Sequence, residues 1–409
     1  MTDRTILVVG TYDTKNPELA YMAERIRSLG GGVLTMDISV LGEPAAPVDY
    51  SKRDVAAAGG SSIEAAVDAG HENAAMQIMA RGAAALAADL YRQGRFHGIV
   101  ILGGTMGTDA ALDICKALPL GAPKYVVSTI AFSPLIPRDR LSSDIQMILW
   151  AGGLYGLNSV CKATLSQAAG AVLGAAQAAE APAGDRPVVG MTSLGSGSMH
   201  YMKTLKPALE ARGYEVAIFH ATGMGGMAFE SIASRGGFCC VMDFTLVELG
   251  NLMMGSVVEA GESRLLGAGR AGTPQIVAPG YLSLVHIPAW QDAPPRFADR
   301  PFHIHNRLIK SGLLNKAERR EIAREVGRRL AQSTGPVHFI LPSQGIVKWD
   351  RPGYEAHDPA GMAAFADELR NSVRPPALMT ELDCHINDVE FAEAALEIFD
   401  GWAADGTIG

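Results

Sequence analysis

Two short stretches combine the residue types that can hold a phosphate. GTYDTKN (10–16) and GGTMGTD (103–109) each follow an apolar run and precede a helix-like segment. In the first, Thr11, Thr14 and Lys15 can bond or neutralise a phosphate, and Asp13 can hold a magnesium ion through water. The start of the next helix adds free N–H donors. Asn16 before Pro17 and Glu18 would equally make a plain helix start with an Asn cap. In the second stretch, glycines let the main chain approach an anion, threonine hydroxyls can donate, and a helix from Thr108 points its positive end at the loop. A tight turn is the bland alternative. No Gly-Lys-Ser/Thr follows, and the spacing is not GxGxxG, so neither of the best-known phosphate loops is present.

The second half is richer in groups that move protons. His220 stands with Thr222 and Gly223, Asp243 with Thr245 and Glu248, and His303, His305 and Asn306 lie in RPFHIHNRLIK. His385, Asn387 and Asp388 follow ALMTELD. Pairing His220 or His385 with Asp243 or Glu248 would suit proton transfer on a carbonyl or acid substrate. The same groups could ligate zinc, manganese or iron, since HIH puts two rings on one face of a strand. No HExxH or facial-triad spacing selects a site, so the metal is unassigned. The plain reading is that these histidines satisfy carbonyls or cap helices, with Asn387 or Asp388 as an N-cap. Ser193, Ser196 and Ser198 in TSLGSGSMH could contact an anion at the following helix; the run does not match the GxSxG nucleophile elbow. Candidate substrate contacts are thus Ser193, Ser196, Thr222, Gly223, His305, Asn306, Asn387 and Asp388.

Positioning such loops requires strands that end in them. TILVVG (5–10), VLTMDIS (33–39), GIVILGG (98–104) and KYVVST (124–129) read as buried parallel strands, separated by Ala-rich helical segments closed by glycine. After the small-residue run QAAGAVLGAAQAAEAPAGDR the rhythm restarts with PVVGMTS (187–193), EVAIFHA (215–221), FCCVMDF (238–244), PQIVAPG (274–280), HFILPS (338–343) and ALMTELD (377–383). The expected fold is α/β: two doubly wound Rossmann-like domains with mostly parallel sheets, 1–183 and 184–409, facing a cleft. The charged run NKAERREIAREVGRRL (315–330) has helical spacing and reads as a solvated helix face. The Ala/Gly-rich helix over 165–178 suggests close helix packing and a homo-oligomer.

The totals agree with that layout. A chain of 409 residues exceeds one ordinary core. A net charge of -8 argues against nucleic acid as partner. No apolar run approaches the roughly 20 residues of a membrane helix. The opening MTDRTILVVG lacks a signal-peptide pattern, so a cytoplasmic protein is expected. Five cysteines, without paired spacing, are expected to be reduced and mostly buried.

GTYDTKNPEL, GGTMGT, LPLGAPKYVVST (118–129), HATGMGG (220–226), APGYLSLVH (278–286) and HIND (385–388) together resemble the family that includes the ATP-binding region of the tomato protein conferring resistance to tomato mosaic virus. The resemblance covers nearly the whole chain. It implies two α/β domains with ATP on the first, contacted by Gly10, Thr11, Asp13, Thr14, Lys15, Gly103, Gly104, Thr105, Gly107 and Thr108; Mg2+ with the nucleotide is the expectation read from Asp13. Asn16 and Met106 depart from the pattern, and Met106 could fill the loop. The leading expectation is a cytosolic ATP-binding protein whose second domain acts on a small metabolite. The alternatives are a hydrolase or C–C lyase for a small carboxylated substrate, using His220, Asp243, Glu248 and His385, or a protein-interaction module.

Overall fold

The computed structural model describes residues 4–180 and 184–408, apart from the Ser196 side chain. The chain divides into two compact units, Met1–Pro182 and Ala183–Gly409. The boundary expected at residue 183 lies outside the described residues.

In the first unit the apolar runs form β1 (Thr5–Gly10), β2 (Gly32–Asp37), β3 (Gly98–Gly103), β4 (Lys124–Ser128) and β5 (Ile145–Leu149). They pair in parallel in the order β2-β1-β3-β4-β5. Alternation along β1 explains both layers. Ile6 and Val8 pack on the helices Asn16–Ser28 and Ser159–Ala178, while Leu7 and Val9 pack on Glu72–Arg92 and Thr105–Ala117. The small-residue helix thus buries Leu165, Ala168, Ala169 and Val172 in its own unit's core.

The second unit runs β6 (Val188–Ser193), β7 (Glu215–His220), β8 (Cys240–Thr245), β9 (Gln275–Gly280), β10 (Leu284–Pro288), β11 (Phe302–Ile304), β12 (Ile309–Leu313), β13 (Val337–Pro342) and β14 (Ala377–Leu382). Six of these form a parallel sheet in the order β14-β13-β9-β8-β6-β7. Between β9 and β13 the chain adds a small antiparallel sheet, β10-β12-β11, which the sequence reading did not foresee. Both units are doubly wound parallel α/β layers, the class expected. Each sheet reverses its strand order beside its first strand, between β1 and β3 and between β6 and β8. Loops at the carboxyl ends part there and leave a crevice.

The helix Lys316–Leu330 corrects one expectation. It is not simply a solvated face: Glu318, Arg319 and Arg329 are buried. The Arg319 guanidinium meets Asp358 at 3.0 Å, and Arg329 donates to the carbonyls of Glu262 and Arg264 at 2.6 and 2.7 Å. Long charged side chains can be buried there because carbonyls and carboxylates are waiting for them. All five cysteines are free, and only Cys239 is partly exposed. Among the described residues no helix is long and apolar enough to cross a membrane.

Candidate functional site

In the first unit, both Gly/Thr loops flank the β1/β3 crevice. The turn after β1 closes on the Thr11 carbonyl, which accepts from the N–H groups of Thr14 and Lys15 at 3.2 and 2.9 Å. Lys15, not Asn16, is the N-cap of Asn16–Ser28, and its side chain makes no capping hydrogen bond. After β3, Gly104 is the N-cap of Thr105–Ala117, again with no side-chain cap, so first-turn N–H groups face the loop. A cavity of about 410 Å³ is lined by Thr11, Asp13, Thr14, Ser39, His71 and Met106, among others. Met106 is 41% exposed and forms part of a wall.

Several of the proposed phosphate contacts are engaged elsewhere. The Lys15 ammonium donates to the Leu154 carbonyl at 2.6 Å and sits 4.8 Å over the Tyr155 ring. Thr108 is buried, with its hydroxyl 2.7 Å from that of Ser128. Gly10 lets the Leu19 side chain close on the strand, and a Cβ on Gly103 would meet the Gly107 Cα at 2.5 Å. These glycines serve close packing. Gly104 is different: a Cβ there would find only the Thr129 hydroxyl, at 3.8 Å, and the exposed Thr105 follows. Thr14 donates to Asp13 at 3.1 Å and lies 3.2 Å from the Thr11 hydroxyl. Asp13 accepts from Gly42 at 3.3 Å.

In the second unit the candidate acids are buried, Asp243 on the interior strand β8 and Glu248 on the helix Val247–Met253 that follows it. Arg264 is fully buried and meets three carboxylates: Asp243 at 2.5 and 2.7 Å, Glu248 at 2.9 Å and Glu230 at 3.2 Å. Thr192 also donates to Asp243, at 2.7 Å. Glu248 accepts from the N–H groups of Gly223 and Gly226 at 2.6 and 3.1 Å, holding the start of Met224–Ala233. Burial pushes the Glu248 carboxyl up to about 7 against the pull of Arg264 and those N–H groups, and burial also raises Glu230. His385 is likewise internal. Its Nδ1 accepts from Asn387 N–H at 3.0 Å, so Nε2 carries the proton and points at Asp350 and the Val347 carbonyl, 2.9 and 3.0 Å away. Asp388 caps Val389–Ala404 by position, but its carboxylate accepts from His385 N–H and Arg351.

The proposed catalytic set is therefore not assembled in one place. What does converge is a cavity of about 590 Å³ at the carboxyl ends of β6, β7 and β9, beside the antiparallel sheet. It gathers His220, Thr222, His305 and Asn306 from the sequence candidates. Ser193 is buried in β6, and Gly223 binds Glu248. The Ser196 side chain lies outside the described residues. Ser198 braces its own turn by accepting from Leu194 N–H at 2.9 Å. His303 pairs with Glu355 at 2.5 Å and packs against Trp349. Among the described residues no group of three or more His, Cys, Asp or Glu side chains could hold a metal ion.

The sequence reading missed the cavity's central group. His286 on β10 lies directly opposite Ser311 on β12, and Ser311 in turn lies opposite His303 on β11, so all three share one face of the small sheet. His286 Nδ1 is 2.6 Å from Ser311 Oγ, and its main chain is fixed by Asn251 at 2.8 Å and by the Ser256 hydroxyl. Its Nε2 is buried with no hydrogen-bond partner among the described residues. Burial, and secondarily His305, depress its pKa to about 4, so the ring is neutral at pH 7. Tyr281 reaches the same cavity from a left-handed backbone, φ 64°, and any side chain at Gly197 would overlap its hydroxyl.

A two-unit, doubly wound α/β protein with a loop crevice on each sheet is the class so defined. Residues 4–181 match the N-terminal domain and residues 186–403 the C-terminal domain of the Uncharacterised protein family (UPF0261), and the chain belongs to that family. A UPF0261 protein of Brucella melitensis is 51% identical over 98% of this chain and 96% of its own length. The ToMV resistance protein Tm-1(GCR237) of Solanum lycopersicum is 28% identical over 96% of this chain but only 55% of the tomato protein. Among solved structures, MurG of Acinetobacter baumannii aligns at 11% identity over 98% of this chain and 90% of its own. Its TM-score of 0.20 is too low to carry an argument.

Proposed function

We propose that this is a nucleotide-binding protein that holds phosphates on its first unit and handles a small metabolite on its second. What carries the reading is the pairing of two Gly/Thr loops across the one crevice where the first sheet reverses its order. The uncapped start of Thr105–Ala117 supplies N–H donors, and Gly104 has the space for an anion to approach. Thr11 and Thr14 add hydroxyls from the facing loop, and Asp13 could reach a phosphate-bound magnesium ion through water. ATP is the ligand that the family resemblance implies, and Asp13 is what suggests Mg2+ beside it.

Titration calorimetry of the full chain with Mg-ATP tests the proposal. Binding should weaken about tenfold in Gly104→Ala, a substitution the fold has room for. Absence of heat at millimolar nucleotide would end the reading.

A hydrolase or lyase built on Asp243, Glu248 and His385 finds no support in the geometry, because Arg264 and Asp350 occupy those groups. His220 and His286 at the larger cavity favour acid–base handling of a metabolite at that place instead.

A further inference from the structure

A second-unit feature calls for a ligand of particular chemistry. The His286 imidazole is almost wholly buried, lines the 590 Å³ cavity, and leaves Nε2 without a partner among the described residues. Buried polar nitrogens are nearly always satisfied, so an unpaired one on a residue that lines a cavity is a place where a ligand atom or a water completes the bond. Asn251 and the Ser256 hydroxyl fix the His286 main chain, and Ser311 meets the ring at Nδ1.

We propose that this cavity binds a small planar organic acid, its flat apolar body against Trp349 and Trp290 and its carboxylate or carbonyl oxygen accepting from His286 Nε2–H. In this proposal the Ser311 hydroxyl gives its one proton to Nδ1, which leaves the ring proton on Nε2 and makes Ser311 the positioning residue for that tautomer.

The lining argues against ammonium and phosphate ligands. Among the described residues no Asp, Glu, Lys or Arg lines the cavity. An ammonium ligand would find no counter-charge, and a phosphate would find no guanidinium or ammonium. Three imidazoles, His220, His286 and His305, can offer N–H donors to a single carboxylate or carbonyl oxygen. The walls suit a flat body. Tyr281 meets Trp349 edge-on at 6.5 Å, and the rings of His303 and His305 lie 5.3 and 6.5 Å from it. Trp290 and Leu308 stand 68% and 72% exposed at the cavity, apolar surface that a bound ring would cover. The volume lies within the roughly 300–1,000 Å³ usual for small-molecule sites.

This inference rests on reading the second unit as the metabolite-handling part, and its test separates the two proposals. The full-length chain is titrated with naphthoate, with benzoate and with benzylamine, following tryptophan fluorescence and the imidazole nitrogen signals of histidine-labelled protein. Mg-ATP is titrated into the same samples. The expected result is binding of at least one of the two acids, with a shift of the His286 Nε2 signal, and benzylamine about tenfold weaker or more. His286→Phe should abolish acid binding. Ser311→Ala, which keeps the ring but frees its tautomer, should weaken it about tenfold while leaving ATP binding unchanged, and it decides the matter if the first variant does not fold. No acid binding at millimolar concentration, equal binding by Ser311→Ala, or benzylamine binding as tightly as the acids would each overturn the proposal. Loss of ATP binding alone would overturn only the nucleotide reading.

Discussion

The two sheets share a strand order around their first strand, yet their crevices have diverged in how they treat charge. At the first, Thr11, Asp13, Thr14 and Lys15 are tied to one another or to nearby carbonyls in a partly exposed loop. At the second, the acids on β8 and its neighbouring helices are buried and bound by one buried guanidinium, while an added antiparallel sheet carries a neutral histidine to the cavity. Similar topology fixes where a ligand site can form. What fills the loops decides whether that site is wet and ionic or sheltered and nearly uncharged.

The largest test of this contrast is Arg264→Met. It should destabilise the second unit by about 3–5 kcal/mol in urea unfolding, because three carboxylates lose their buried partner. Lys15→Met in the first unit should cost no more than about 1 kcal/mol, since its ammonium holds only one carbonyl and a ring at a part-exposed site. Equal losses would erase the distinction.

Acid should single out the second site next. The folded pKa of His286 lies below its ordinary 6.5, at about 4. The unfolded chain therefore binds the proton first as pH falls. Stability from this ring is complete above pH 6.5 and declines by about 3 kcal/mol toward pH 4. His286→Gln should flatten that part of the pH profile in denaturant titrations; an unchanged slope would place the ring in water.

Within the first crevice, Gly103→Ala should cost roughly 1–3 kcal/mol through overlap with Gly107, whereas Gly104→Ala should leave the melting temperature nearly unchanged. Thermal melts of the pair would separate the packing glycine from the one open to a ligand. The smallest effects come from features the units share. Ser51→Ala and Asn315→Ala each remove one side of a capping box and should each cost about 1 kcal/mol in unfolding measurements, alike in both units. A marked inequality would mean that helix caps, too, differ between the sheets.

Apolar runs made the buried strands legible: four of the five in the first sheet and all six in the second were readable as strands. β5 escaped because IQMIL is only half buried on the sheet edge, and β10 to β12 because they are short and interrupted by loops. Asp243 and Glu248 drew attention as acids near a strand end, but Arg264, which arrives 21 and 16 residues later, decides what they do. Nothing in local spacing announces that return. His286 lies within APGYLSLVH, where an apolar strand gives no local sign of its role. Its chemistry emerges only once Ser311 comes across the small sheet and Nε2 finds no partner among the described residues.

The Arg264 cluster also bears on how fast the fold can be lost. Its partners come from the helix Met224–Ala233, β8 and the helix Val247–Met253, so the guanidinium can be satisfied only after all three have docked. Contacts completed that late are largely absent from the folding barrier and act as a brake on its reverse. The cluster should therefore lengthen the lifetime of the folded second unit more than it hastens its formation, a latch set after the walls are standing.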